Sequence, residues 1–213
     1  MKKDKQFVIT INRELGSGGR TVGEKLAKKL DVPFYDKALV KALEKEYHLT
    51  VEEIERLKGQ KDNWWTDFKR KVMLFDETAK AQYYKIGNDG QPELITSEAM
   101  FKTESRLLEE IASAESCVIA GRSGFYVFRN HPNHLSILIQ APMESRIRRI
   151  MGKKPITKEE AEKIIKEVDK ARENYVNKFT GTSRYDTHNY DLVINMDGKT
   201  EEEAVDLILK YIG

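Results

Sequence analysis

The stretch from Phe7 to Leu30 constrains this chain more than any other. Phe7-Val8-Ile9-Thr10-Ile11 is an apolar, β-branched run of strand length. Gly16-Ser17-Gly18-Gly19-Arg20-Thr21 follows it, and then Val22, Leu26 and Leu30 recur at helical spacing with Ala27 beside them. Strand, glycine loop and helix in that order place a row of backbone N–H groups at a helix N-terminus. Unpaired donors and the positive end of the helix dipole make such a site attractive to phosphate. Glycine lets the backbone approach a ligand closely and tolerates positive φ.

The usual nucleotide-binding loop reads Gly-x-x-x-x-Gly-Lys-Ser/Thr, and this one departs from it. Thr21 supplies a hydroxyl in place to ligate Mg²⁺. Read by adjacency, Arg20 stands where lysine is expected. Read against loops ending Gly-Lys-Gly-Thr, the lysine position is Gly19 and the first glycine is replaced by Arg13. Both alignments leave the loop without a lysine.

A chain of 213 residues suffices for one substantial α/β domain with an inserted subdomain. A formal net charge of +2 gives no reason to expect nucleic acid as the main partner. No apolar run approaches the ~18 residues of a membrane span. Met1-Lys2-Lys3-Asp4-Lys5 leads straight into the first strand, so a cytoplasmic protein without a secretory leader is expected. The one cysteine, Cys117, lies in an apolar run and reads as a buried thiol. His48, His131, His134 and His188 lack zinc-site spacing and read as surface or loop residues.

Along the chain, Asp31–Tyr35 is a short strand candidate and Asp36 a helix cap, with Thr50-x-x-Glu53 opening another helix. The region 61–85 is rich in aromatics, including Trp64 and Trp65, which suit helix packing, a base pocket or a homodimer surface. The flanks of Asn88-Asp89-Gly90 form a hairpin or a loop. A long helix is expected over 97–114, then a buried strand at Cys117-Val118-Ile119-Ala120 ending in Gly121-Arg122-Ser123-Gly124. Leu135–Ile139 is the next strand, and Pro142 suits the first turn of a helix carrying Arg146, Arg148 and Arg149. Thr157-x-x-Glu160 opens a helix with Ile164, Val168, Ala171 and Tyr175 as its apolar stripe. Tyr190–Asn195 is the last strand, and Thr200-x-x-Glu203 begins the last helix. The alternation argues a parallel, helix-covered sheet.

Several segments together resemble the cytidylate kinase-like branch of the nucleoside monophosphate kinases. They are Ile9–Arg20, Phe34-Tyr35-Asp36-Lys37, Gly121-Arg122, Glu144–Arg149 and Tyr190–Asn195, in family order across nearly the whole chain. The resemblance implies a three-layer α/β P-loop NTPase fold with a five-stranded parallel sheet. It implies a single kinase domain over 1–213, with a largely helical acceptor-binding insertion at 36–115 and a lid at about 152–172. It further implies transfer of the ATP γ-phosphoryl group, with Mg²⁺, to a small nucleotide such as CMP or dCMP.

Carried over by position, Gly16, Ser17, Gly18, Gly19, Arg20 and Thr21 would cradle the ATP phosphates, with Thr21 on the metal. Arg13, Asp36 and Arg122 would serve the acceptor. Arg146, Arg149, Lys170 and Arg172 would belong to the lid, and Arg20, Arg122 and Arg172 would be catalytic. Arginines are suited to this because phosphoryl transfer is mostly positioning and charge neutralisation. Two places depart from the family pattern. Ala120-Gly121-Arg122-Ser123 stands where cytidylate kinases have Asp-Gly-Arg-Asp, and the lid returns with fewer arginines. A nucleotide-binding sensor or interaction protein, and a kinase for another small metabolite, therefore stand beside the nucleotide kinase as alternatives.

Overall fold

A computed structural model describes residues 1, 5–36, 84–86, 92–94 and 98–213. The expected helices at 37–57, the aromatic stripe with Trp64 and Trp65, and most of the proposed insertion lie outside the described residues.

The first strand, β1 (Val8–Arg13), leads through the glycine loop into α1 (Gly19–Leu30) and then β2 (Phe34–Tyr35). A hairpin, β3 (Tyr84–Ile86) and β4 (Pro92–Leu94), and a long helix, α2 (Glu98–Ala114), precede β5 (Cys117–Ala120). The short helix α3 (Gly124–Val127), β6 (His134–Gln140) and α4 (Met143–Met151) come next. The chain closes with α5 (Lys158–Thr180), a 3₁₀ turn (Thr187–Asn189), β7 (Leu192–Asn195) and α6 (Glu201–Ile212). The main sheet has five parallel strands in the order β2-β5-β1-β6-β7, so β1 lies at its centre.

Alternation along β1 assigns its two faces. Ile9 and Ile11 pack with Val22 and Leu26 of α1 and with Val205 and Ile208 of α6. Val8 faces the other way, toward Leu107, Leu108 and Ile111 of α2. This is the three-layer α/β arrangement expected from the sequence. Both anticipated capping boxes form, Thr157 with Glu160 and Thr200 with Glu203. Cys117 is buried, and desolvation pushes its thiol up to about 12.

Four local expectations need correction. Pro142 precedes α4 as its N-cap instead of joining the first turn. The last strand begins at Leu192, because a 3₁₀ turn occupies the residues just before Tyr190. The inward face of α5 runs through Ala161, Ile165, Asp169 and Tyr175, with Ile164 and Val168 only partly covered. The helix is rotated so that the carboxylate of Asp169 points inward to arginines. Finally, His134 is no loop residue. It opens β6, its Nε2 lies 2.7 Å from Thr10 Oγ1, and desolvation holds its imidazole down at about 4.

Candidate active site

The glycine loop leaves β1 at the carboxyl end of the central strand, the end at which open α/β sheets hold ligands. Its shape depends on two residues in the left-handed region, Gly16 (φ +82°) and Gly18 (φ +86°). A Cβ on Gly16 would lie 2.8 Å from the Arg146 carbonyl oxygen, so there is no room for a side chain. Gly18 caps α1 with no side-chain oxygen of its own. Ser17 Oγ donates to the Glu14 carbonyl at 2.9 Å and accepts from Gly19 N–H at 3.4 Å, which ties the loop's middle together. Among the described residues nothing accepts from the amides of Gly16, Gly18 or Thr21. Those three N–H groups at a helix N-terminus are what an anion needs.

Arginines surround this loop, and the structure separates their positions. Arg13, the last residue of β1, is partly buried. Its guanidinium makes no hydrogen bond or ion pair with any described residue. Burial, reinforced by repulsion from Arg172, Arg184 and Arg20 and opposed by attraction to Asp36, lowers it to about 9. Its carbonyl accepts from Arg172 Nη1 at 3.2 Å and from Arg184 Nη2. Arg20 is ion-paired, with Nε 2.7 Å from Asp36 Oδ2 and Nη1 2.6 Å from Glu24 Oε1. Two residues expected in different subsites, Arg20 and Asp36, thus hold one another.

Arg146 and Asp169 lie beneath the loop. Arg146 is buried, pairs with Asp169 and with Glu14 Oε1 at 3.3 Å, and donates from Nε to the Leu15 carbonyl at 2.8 Å. It was expected in the lid; the structure places it as a brace under the glycine loop. Asp169 also accepts Leu15 N–H at 3.0 Å and lies 3.5 Å from Arg184 Nη1 and 3.6 Å from Arg172 Nη1. Arg149 pairs with Glu201 at the rim, next to Gly18. Lys170 is exposed on α5.

Arg122 follows β5 in an uncommon run. Gly121, Arg122 and Ser123 all have positive φ, at +81°, +57° and +52°. For the two non-glycine residues this costs about 1–2 kcal/mol each, a strain typical of functional loops. Arg122 is buried, paired with Glu104 of α2, and its guanidinium lies 5.9 Å from the centre of the Tyr175 ring. Tyr175 in turn donates to Glu104 Oε2 at 2.9 Å.

Sequence reasoning missed Asn12, Glu14, Asp169 and Arg184. Arg184 is only 1% exposed, the largest of the fully buried side chains among the described residues. Its Nη2 also reaches Asn12 Oδ1 at 3.3 Å, and its carbonyl accepts from the Tyr190 hydroxyl at 2.7 Å. A signal for part of this set was present: Asp169 and Arg172 stand three apart on one helix, on one face.

No group of three or more metal-ligating side chains occurs among the described residues. Among them no helix is long and apolar enough to cross a membrane.

The sequence matches the cytidylate kinase-like family over residues 8–198. A cytidylate kinase from Sulfolobus acidocaldarius is 31% identical over 112 residues, which span 52% of this chain and 60% of that one. An uncharacterized protein from Eubacterium ventriosum has a similar crystal structure, with a TM-score of 0.65 at 24% identity over 97% of this chain and 98% of that one. A shikimate kinase from Bacteroides thetaiotaomicron shares the fold more distantly, with a TM-score of 0.50 and 16% identity over 97% and 98% of the two chains.

Proposed function

This chain belongs to the cytidylate kinase-like family, and we propose that it transfers the γ-phosphoryl group of ATP to a nucleoside monophosphate, CMP or dCMP being the first candidates. The observation that carries the proposal is the pairing of open loop amides with a cation. Gly16, Gly18 and Thr21 offer N–H groups to which no described residue responds, and Arg13 brings a guanidinium that no described residue pairs with. These groups are partly covered, and a polyphosphate would supply acceptors for all of them.

The Thr21 hydroxyl fits Mg²⁺, which takes hard oxygen ligands and keeps several waters. When bound with ATP, the metal would neutralise charge on the phosphate oxygens. This chain's own part is to hold and orient. The loop amides fix the donor phosphates, Asp169 and Arg146 keep the loop in place, and Arg172 and Arg184 secure the strand end from which Arg13 projects. Arg122, in the loop beside β1, is the candidate contact for the acceptor phosphate. To reach it, Arg122 would exchange Glu104 for the acceptor, a trade of one charge-assisted partner for another.

A coupled assay for ADP release, run with each common nucleoside monophosphate, tests the proposal. Turnover with CMP or dCMP above the ATP-only background supports it. ATP binding without turnover on any monophosphate, sugar or alcohol acceptor would replace it with the sensor reading. Turnover on a non-nucleotide acceptor alone would keep the kinase and change the substrate.

A further inference from the structure

In the usual phosphate loop a glycine opens the motif and a lysine stands six residues later, in the first turn of the helix. The corresponding positions here hold Arg13 and Gly19. The cation and the glycine have changed places, and the geometry makes each depend on the other. A Cβ on Gly19 would lie 2.6 Å from Arg13 Cβ and 3.2 Å from Arg13 Cγ. Real Cβ atoms do not approach as closely as 2.6 Å, so only glycine at 19 lets the stem of Arg13 cross the start of α1. At its far end the same side chain lies against Gly121, where a Cβ would overlap Nη1. Arg13 therefore bridges two loops, the glycine loop after β1 and the left-handed turn after β5.

We propose that Arg13 and Gly19 are a reciprocal exchange in which the guanidinium of Arg13, delivered from the end of β1, takes the place of the loop lysine on the terminal phosphates of a nucleoside triphosphate. The phosphate-loop function proposed above is the ground on which this stands. Of Arg13, Arg20 and Arg122, the second is turned to Asp36 and Glu24 and the third to Glu104. Arg13 alone among these three makes no ion pair with a described residue. Its acidity points the same way, since a guanidinium lowered to about 9 by burial and neighbouring cations gains from an anion. Geometry also favours the exchange for a chemical reason. A planar fork between donor loop and acceptor loop can hold two phosphate oxygens at once, which an ammonium cannot do with the same fixed direction.

The test uses the full chain in four forms: wild type, Arg13→Gly, Gly19→Lys and the double variant, with Arg13→Met as a volume-matched control that keeps the packing on Gly19. ATP affinity with Mg²⁺ is measured by calorimetry, and thermal unfolding checks that each form is folded. Arg13→Gly and Arg13→Met are expected to weaken ATP by about 10- to 100-fold. Gly19→Lys alone is expected to weaken it too, because Arg13 blocks the new side chain. The double variant restores the usual arrangement and is expected to return to within about 5-fold of wild type. Wild-type affinity in folded Arg13→Met, or a double variant no better than Arg13→Gly, overturns the exchange while leaving the kinase reading intact. A wild-type chain that binds no ATP overturns both.

Discussion

Asp169→Asn probes the scaffold under the loop most sharply. The Asp169 carboxylate is buried on the inner face of α5 and touches Arg146, Arg184 and Arg172, as well as Leu15 N–H. Asparagine keeps the shape and can still accept from Leu15, so the change removes charge and little else. Arg184 and Arg146, whose side chains are 1% and 6% exposed, then lose their shared counter-charge. Glu14, 3.3 Å from Arg146, compensates only that arginine. Removing one partner from a buried pair costs about 3–5 kcal/mol. For a domain of this size each kcal/mol lowers the melting temperature by roughly 2–4 °C, so a fall of about 6–20 °C is expected. Calorimetry or circular dichroism reads it directly. Replacing both Asp169 and Arg184 by apolar residues should recover part of the loss, because an unpaired cation no longer remains. Glu144→Gln, which breaks an exposed pair with Lys158, should move the transition little. A melting temperature for Asp169→Asn within a degree or two of wild type would refute the claim that Asp169 neutralises these arginines.

Three further outcomes follow from particular contacts. Gly16→Ala must place a Cβ 2.8 Å from the Arg146 carbonyl at a φ of +82°; it should cost at least about 1–2 kcal/mol in denaturant unfolding and weaken ATP binding. His134 takes up a proton only near pH 4 when folded, but near 6.5 when unfolded. Its contribution is therefore present above about pH 6.5 and lost as the pH falls to about 4, by at most roughly 3 kcal/mol. His134→Gln should flatten the stability profile over that window in urea titrations. Cys117, buried with its thiol pushed up to about 12, should react with a thiol reagent at pH 8 only as fast as the protein opens.

Much of the framework is legible in the sequence because it rests on local rules. The apolar β-branched runs mark β1 and β5, and the Thr-x-x-Glu pairs mark the starts of α5 and α6. The site is only half legible. Gly16, Gly18 and the lysine-less pattern point to the loop, but nothing local says that Arg20 turns to Asp36 while Arg13 crosses Gly19. Charged residues on a helix are ordinarily solvated. Asp169, Arg146 and Arg184 become buried because they neutralise each other across α4, α5 and the segment after α5, a pairing between residues distant in sequence. The left-handed run at 121–123 is similarly hidden, since two of its three residues are not glycine. His134 escaped because its environment is built by Thr10 on a neighbouring strand.

The central claim is that main-chain amides of the glycine loop hold a triphosphate. Titrating the ¹⁵N-labelled chain with MgATP while following the amide resonances tests it most directly. The account predicts saturable shifts at Gly16, Gly18 and Thr21 with a common midpoint. Unmoved loop amides while ATP binds elsewhere, or no binding at all, would contradict it.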